Sequence, residues 1–303
     1  LSGQTSDSNI HEIIILKSRL PQSITALLAG AALSVSGLIM QTYFRNPLAD
    51  PSVLGISAGS SLGVAVLFLM PGFVSLSASS LGFMWQNISV IGASLIGATA
   101  VLVLILFFSS YVRNHVMLLV LGIMISAIAS SFIGILNVLS NSQNVHAFAI
   151  WGLGSFSMVS MEHLWFFVPA VLVGLIFSIT LTKPLNVLLF GEKQALNLGV
   201  NVKWVRIRIL LIVGFLTAIV TAYCGPIAFL GLAIPHISRL LFKTSNHAIL
   251  IPSSVLLGSL LALICTLISK TSYFSSALPI NTVTSLLGAP VVIWIILKRT
   301  KTE

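Results

Sequence analysis

The chain has 303 residues, of which 57% are hydrophobic and 7% are charged, and its mean hydropathy is +1.08. A soluble domain usually carries about 25% charged residues, so this composition excludes an ordinary soluble domain. Long apolar runs, rather than weak alternation, predict an all-α polytopic membrane protein. The net charge of +9 does not indicate a nucleic-acid partner, because the basic residues lie at the ends of apolar runs.

Nine apolar segments approach the roughly 20 residues that a helix needs to cross a bilayer. In chain order they are 24–44, 53–70, 88–108, 116–139, 164–181, 207–224, 227–242, 248–268 and 283–297. The second and the seventh are short or interrupted by glycine and proline. We predict one transmembrane domain over 1–303, in which 1–23 is an external segment leading into the first span and 182–206 is cytosolic.

The basic residues predict the orientation of these spans. Because the number of spans is odd, the two termini lie on opposite sides of the membrane. With a cytosolic C-terminus, twelve bases lie inside and only Lys17, Arg19 and Lys270 lie outside. We therefore predict a multi-pass membrane protein whose C-terminus is cytosolic.

No carboxylate, Lys or Arg lies in the middle of a predicted span, and all six acids lie at span ends or in loops. Such groups are costly in a membrane and usually serve proton or ion coupling, so an ion-driven mechanism is disfavoured. The sequence also lacks a GxxxxGK[ST] loop, so we predict that the chain is not an enzyme and draws its energy from a partner. Cys224 and Cys265 lie in apolar runs without metal-ligand spacing, which predicts packing and no metal site.

Two interrupted segments occupy corresponding places in the two halves of the chain. Pro47 and Pro51 break the first, and Pro226 and Pro235 break the second. The two halves run oppositely through the membrane, and paired broken helices in opposed halves are typical of transporters. Close helix packing through small residues is the alternative interpretation. We expect a translocation path near the first break and the start of the fourth span, with the candidates Asn46, Pro47, Ser57, Gly59, Asn114 and His115.

The polar stretch 190–208 lies between two runs that are long enough to cross a bilayer. It carries one acid, Glu192, and four bases. Residues 194–198 are predicted to form a short helix that Gly199 closes. The stretch is either the main soluble contact surface of the protein or a solvated connector without a role, and composition leaves both open.

An ordered set of motifs resembles a known family of membrane permeases. The motifs are Arg19-Leu-Pro21, Arg45-Asn-Pro-Leu-Ala-Asp-Pro51, Leu54-Gly-Ile-Ser-Ala-Gly59, Trp151-Gly152, Gly191-Glu192, Gly225-Pro-Ile-Ala-Phe-Leu-Gly231, Pro235-His-Ile-Ser-Arg239 and Gly288-Ala-Pro290. The set covers essentially the whole chain. It is similar to the permease subunits of bacterial type II ATP-binding-cassette (ABC) importers for iron-siderophore, haem and vitamin B12.

The resemblance implies a ten-helix fold in the bacterial cytoplasmic (inner) membrane, with the first helix missing from this sequence. It implies three partners besides membrane lipid: a second permease subunit, identical or paralogous; a cytosolic ABC ATPase dimer that holds ATP and Mg²⁺; and an external substrate-binding protein. No cofactor is expected on this chain. By resemblance, ATPase coupling falls on Gly191, Glu192, Ala195, Leu198 and Gly199, and binding-protein docking falls on Arg19 and Lys270. Simple anchoring at the membrane interface is the alternative for the two bases.

The chain departs from the family pattern in three places. Gln22 stands where the family often has a base and Thr266 where it commonly has Asp. The stretch Ala277-Leu-Pro-Ile-Asn281 stands where the family often has Glu-Leu-Pro-hydrophobic-Gly. These departures leave the predicted fold unchanged and concern receptor docking.

We therefore predict a permease that imports an iron-siderophore, haem or a corrinoid by alternating access. The rival hypothesis is a stand-alone secondary transporter built from inverted repeats. An intramembrane enzyme would need clustered catalytic groups within the spans, and the sequence shows none.

Overall fold

The computed structural model describes residues 12, 14–70, 83–112, 115–270 and 278–299, and within these ranges the regular structure is helical, without a strand. A π-helical turn, Ile15–Arg19, leads into the first of twelve α-helices. The helices are α1 Leu20–Tyr43, α2 Ile56–Leu69, α3 Phe83–Tyr111, α4 His115–Leu139, α5 Ser142–Gly152, α6 Met161–Ile179, α7 Thr182–Leu188, α8 Glu192–Asn197, α9 Val202–Cys224, α10 Leu230–Phe242, α11 His247–Ser269 and α12 Ile280–Arg299.

Nine of these helices coincide with the nine predicted spans. Six are long and apolar enough to cross a membrane, and three are shorter apolar helices: α2, α10 and the Ile280–Ile293 part of α12. The two segments predicted to be short or interrupted are indeed α2 and α10. The all-helical polytopic prediction is thus confirmed.

The first span begins earlier than the sequence predicted. The apolar helical segment runs over Ile15–Tyr43, so part of 1–23, predicted as a lead-in, already belongs to a helix. Pro21 lies where the π-helical turn passes into α1. Lys17 and Arg19 are exposed. Long basic side chains near a helix end can reach the polar interface, so these two charges do not mark the start of the first span.

Helix α1 is the centre of the bundle. It packs against α6, α9, α10 and α11, and 83% of its most apolar stretch is buried, whereas only 17% of the corresponding stretch of α4 is buried. Glycines bring α1 against its neighbours: a Cβ on Gly30 would lie 2.3 Å from the carbonyl oxygen of Gly258, and one on Gly37 would lie 1.9 Å from that of Gly231. Small residues allow such close backbone approach between membrane helices.

Helices α2 and α3 approach each other in the same way. A Cβ on Gly59 would lie 2.5 Å from the Gly97 carbonyl oxygen, and one on Gly63 would lie 2.1 Å from that of Ala93. Gly59, a predicted path residue, therefore lies at a helix contact, as the close-packing alternative expected. The half-buried face of α2 instead carries Ser57 and Ser61.

Candidate functional site

Two glycines frame the short helix α8 within the polar stretch. Gly191 precedes α8 with φ +114° and ψ 157°, and Gly199 follows it with φ +80°. Residues with a side chain rarely adopt these conformations, so glycine is needed at both positions. The amide of Ala195 donates to the Gly191 carbonyl oxygen at 2.8 Å, and the amide of Gly199 donates to that of Leu196 at 3.0 Å. The predicted short helix closed by Gly199 is present.

Ala195 anchors α8 to the body of the protein. It is fully buried in a core cluster with Leu185 and Leu188 of α7 and with Val202 and Val205 of α9. Its carbonyl oxygen also accepts a hydrogen bond from the Val200 amide at 3.0 Å. This small side chain lets α8 lie flat against α7 and α9.

The opposite face of this segment is exposed and partly apolar. Phe190, Leu196 and Leu198 are 70%, 59% and 66% exposed. Beside them lies a shallow cleft of about 400 Å³, lined by Arg45, Phe190, Gly191, Glu192, Lys193 and Gln194. Exposed large apolar groups with a polar surround are typical of protein contact surfaces.

Arg45 links the first broken segment to this surface. Its Nη2 donates to the carbonyl oxygens of Leu188 at 3.0 Å and Leu189 at 3.2 Å. A guanidinium satisfies the last carbonyls of a helix such as α7 well, because those groups have no partner within the helix. The sequence shows Arg45 only as the base that opens the motif Arg45–Pro51. That position was the one indication that Arg45 has a role of its own.

Glu192 faces Arg206 of α9 within the chain. Arg206 Nη2 lies 3.8 Å from Glu192 Oε1. Arg206 Nη1 donates to the carbonyl oxygens of Val112 at 2.6 Å and Ser109 at 3.2 Å, after and at the end of α3. Arg206 therefore ties α8, α9 and the end of α3 together, a role that the sequence did not indicate.

The two broken segments meet in the structure. His236 Nε2 donates to the Pro47 carbonyl oxygen at 2.9 Å, which joins the residue after Pro235 to the first break. Gln41 lies between α1 and α10: its Oε1 accepts from Arg239 Nη1 at 2.6 Å, and its Nε2 donates to the Leu232 carbonyl oxygen at 3.1 Å. Polar contacts thus join the two breaks.

Asp50 closes the first break. Its Oδ2 accepts from the Ser52 amide at 3.0 Å and the Ser52 hydroxyl at 2.5 Å, and so caps the 3₁₀ turn Pro51–Leu54. The carboxyl is buried, and a Cβ on Gly231 would lie 2.7 Å from its Oδ1. Burial raises the pKa of Asp50, while the bonds from Ser52 lower it in part.

The two predicted docking bases lie close together at the other end of the bundle. Burial and the neighbouring Arg19 both lower the pKa of Lys270. Lys270 Nζ donates to Gln22 Oε1. The departure at Gln22 has a physical reason here, because an amide oxygen accepts from Lys270 where a third base would repel it.

Asn281 contacts the second break at the same end of the bundle. Its Oδ1 accepts from the Ala228 amide at 3.0 Å, and its Nδ2 donates to the Pro226 carbonyl oxygen at 2.7 Å. Phe229, which follows, has φ +70°, an unfavourable conformation for a bulky residue. A glycine at 281 could make neither bond, so the Asn281 side chain gives the second break a support that glycine would not.

The Gly-rich stretch after α5 supports the second break from another side. The Ser155 amide donates to the Cys224 carbonyl oxygen at 2.8 Å, and a Cβ on Gly154 would lie 2.9 Å from the Pro226 carbonyl oxygen. Trp151 is buried. Thr266, the third departure, bonds within its own helix, to the Ala262 carbonyl oxygen at 2.7 Å.

Among the remaining path candidates, Asn46 and Ser57 make separate contacts. Asn46 Oδ1 accepts from the Leu48 amide at 2.9 Å within the first break, and Ser57 Oγ lies 3.4 Å from Thr221 Oγ1 of α9. Asn114 lies outside the described residues, and only the backbone of His115, which begins α4, is described. Both cysteines are free and buried, and the described part of the chain holds no metal-ligand cluster of His, Cys, Asp or Glu.

A helical bundle with two joined breaks, no carboxylate, Lys or Arg deep in the described parts of its long spans and an exposed short helix at one end defines a polytopic transport permease. Many curated proteins are similar to it, among them the following three. The hemin transport system permease protein HmuU of Yersinia pestis is 35% identical over 296 residues, covering 97% of this chain and 86% of that protein. An uncharacterized ABC transporter permease protein, YvrB of Bacillus subtilis, is 36% identical, covering 97% and 81%. The vitamin B12 import system permease protein BtuC of Salmonella paratyphi A is 32% identical, covering 96% and 85%.

Solved structures show the same fold. An inward-facing ABC transporter of the metal-chelate type superposes with a TM-score of 0.85 and 29% identity, over 96% of this chain and 89% of that chain. PsaBC from Streptococcus pneumoniae, in complex with Fab, has a TM-score of 0.60 at 16% identity, over 90% and 89%, and supports the fold alone.

The profile of the FecCD transport family matches residues 1–298, and the chain belongs to that family. The resemblance predicted from the motifs is confirmed. The chain is a membrane transport subunit rather than an enzyme.

Proposed function

We propose that this chain is the permease subunit of an ATP-driven importer for an iron-siderophore, haem or a corrinoid in the bacterial cytoplasmic membrane. The relatives named for hemin and vitamin B12 transport support this substrate class. The C-terminus and α8 then lie on the cytosolic side, in agreement with the charge distribution of the sequence.

The coupling of ATP hydrolysis to transport takes place at α8. The observation that carries this proposal is the exposed apolar surface of Phe190, Leu196 and Leu198 on and beside α8, whose other face is anchored by Ala195. A cytosolic ABC ATPase dimer, which binds ATP and Mg²⁺, covers this surface. Arg45, at the first break, donates a hydrogen bond to the end of α7. A displacement of α8 against α7 therefore moves the first break through this bond.

Alternating access then follows from the contact between the breaks. Displacement of Arg45 moves the Pro47 segment, and the bond from His236 to Pro47 carries that movement into α10. Two permease subunits, identical or paralogous, enclose the path, with Ser57 on the half-buried face of α2 as one lining residue. Arg19 and Lys270 receive acidic groups of the external binding protein.

The coupling proposal is tested by replacing both exposed leucines, in the double variant Leu196→Ser/Leu198→Ser. The permease is reconstituted in vesicles with its ATPase and binding protein, and binding-protein-stimulated ATP hydrolysis and substrate uptake are measured. We expect both rates to fall at least about tenfold, because loss of two interface anchors costs more than 1.4 kcal/mol. The matched control is Val138→Ser/Leu139→Ser, two residues 85% and 64% exposed at the opposite end of the bundle.

Thermal unfolding of each purified variant separates coupling from folding. The exposed leucines contribute little to the core, so the midpoint of the Leu196→Ser/Leu198→Ser variant should equal that of the wild type. Wild-type hydrolysis and uptake in a correctly folded variant would refute the coupling role of α8.

A further inference from the structure

An apolar groove of about 640 Å³ runs between α3, α6 and α9 on the outside of the bundle. Its walls include Leu102 of α3, Val173 and Phe177 of α6, and Leu211 and Phe215 of α9. Volumes of roughly 300–1,000 Å³ are typical of sites for small ligands. The groove lies apart from the two breaks and from α8.

Arg208 is the single charged residue among the described residues that line this groove. It is exposed and makes no hydrogen bond or ion pair with any residue that the structure describes. It lies in the second turn of α9, opposite Thr180, where α6 ends. The guanidinium therefore marks the mouth of the groove, at the end of the bundle that carries α8.

The groove extends from this mouth into the apolar part of the bundle. Phe215 lies seven residues beyond Arg208 on α9, and Val173 lies seven residues before Thr180 on α6, so at 1.5 Å per residue the walls run about 10 Å inwards. The site therefore combines one cation at the membrane boundary with a hydrocarbon-lined channel towards the membrane centre.

We propose that this groove binds one anionic phospholipid, with its phosphate at the Arg208 guanidinium and an acyl chain along Leu211, Phe215 and Phe177. A guanidinium can donate two parallel hydrogen bonds to a phosphate. Basic pockets between membrane helices on the cytoplasmic side have the chemistry to hold anionic head groups. Charge complementarity favours an anionic lipid, because an apolar occupant of the groove would bury the Arg208 guanidinium without a partner.

The proposal is tested by native mass spectrometry of the full-length permease in detergent. The protein is incubated with palmitoyl-oleoyl phosphatidylglycerol, with phosphatidylcholine of the same chains, or with inorganic phosphate. We expect selective retention of phosphatidylglycerol, and a decrease of about fivefold in the Arg208→Gln variant, the factor that one base near an anionic surface contributes. Arg208→Lys should show an intermediate loss.

Two further variants separate the head-group contact from the chain contact. Val173→Trp should block the groove and reduce phosphatidylglycerol retention while leaving Arg208 in place. Lys243→Gln removes an exposed base at the end of α10, outside the groove, and should retain the lipid like the wild type. Thermal unfolding verifies that each variant is folded.

Four results would overturn the assignment. They are equal retention of both lipids by the wild type, unchanged phosphatidylglycerol retention in Arg208→Gln or Val173→Trp, displacement of the lipid by inorganic phosphate alone, and loss of a permease dimer in either groove variant. The third would indicate a plain anion site, and the fourth a contact between subunits. None of these measurements involves the ATPase, so failure here leaves the proposed coupling at α8 untouched.

Discussion

Asn281 supports a backbone segment that has few other means of support. Pro226 offers no amide, Gly225 has φ +73°, and Phe229 has φ +70°, so this break cannot use regular helical bonding. Both functional groups of the Asn281 amide are used, one as acceptor from Ala228 and one as donor to Pro226. The side chain therefore holds α12 against the entrance to α10.

The variant Asn281→Asp tests this support. A carboxylate still accepts from Ala228 but cannot donate to Pro226, and it places an oxygen against that carbonyl. We expect a loss of about 1–3 kcal/mol in the free energy of unfolding, measured by denaturation in detergent. Asn144→Asp, at a half-buried amide whose side chain makes no hydrogen bond within the described residues, is the control and should be near neutral. Equal stability of the two variants would contradict the role of Asn281.

Asp50 makes stability depend on pH in a predictable direction. Its pKa is raised above 3.8 by burial, so the folded protein holds this proton more tightly than the unfolded chain does. Stability should therefore fall as pH rises from about 4 through the raised pKa. Asp50→Asn keeps an acceptor for the Ser52 amide but cannot ionise. Between pH 4.5 and 8, the thermal midpoint of the wild type should decline more than that of the variant, and parallel profiles would rule the effect out.

At the scale of elements, Gly191 and Gly199 both flank α8, but they differ in what surrounds them. Both have positive φ, but a Cβ on Gly191 would lie 3.1 Å from Arg45 Nη2, whereas one on Gly199 would meet nothing within 4 Å. Gly191 thus controls both the conformation of the segment and its link to the first break.

The pair Gly191→Ala and Gly199→Ala separates these two effects. Each change should cost about 1–3 kcal/mol of stability through backbone strain. Gly191→Ala should cost more and should also reduce binding-protein-stimulated ATP hydrolysis beyond Gly199→Ala, because it displaces Arg45 from the α7 carbonyls. Thermal unfolding and ATPase assays of the reconstituted complex measure both effects. Identical behaviour of the two variants would show that Arg45 transmits nothing.

The sequence predicted the local features of these elements but not the contacts between them. Prolines and small residues predicted both breaks and the short helix before Gly199, because these residues act on their own backbone. The bond from Arg45 to Leu188 spans 143 residues and that from His236 to Pro47 spans 189. No local sequence pattern predicts such pairs, so the contacts of Arg45, Arg206 and Asn281 could not be predicted from the sequence.

At the scale of the whole molecule, the protein has two polar ends joined by a buried central helix. One end carries α8, and the other carries Arg19 and Lys270. Between them, α1 runs with its most apolar stretch 83% buried, and its Gln41 and Gly37 contact α10, which follows the second break. The buried helix α1 therefore connects the two polar ends of the bundle.

Charge reversal at the outer end tests its proposed role in docking. In Arg19→Glu/Lys270→Glu, binding-protein affinity, measured with the permease in nanodiscs, should fall by at least about tenfold at low salt, since repulsion replaces attraction. The difference should shrink as salt screens the charges. Lys243→Glu, at the other end of the bundle, should leave the affinity unchanged. If the double variant bound the binding protein normally, simple anchoring at the membrane interface would be the better explanation for the two bases.

The sequence by itself determined the class of the protein, its nine apolar segments, the places where two of them break and the polar stretch between the halves. These features depend on local composition, because an apolar run enters a membrane and a proline ends a helix wherever it stands. Only the tertiary structure decided which glycines let helices touch, that Gly59 faces α3, that Arg19 lies beside Lys270, and that Arg208 stands at the mouth of a groove. Those facts depend on residues far apart in the chain, which meet only when the helices pack.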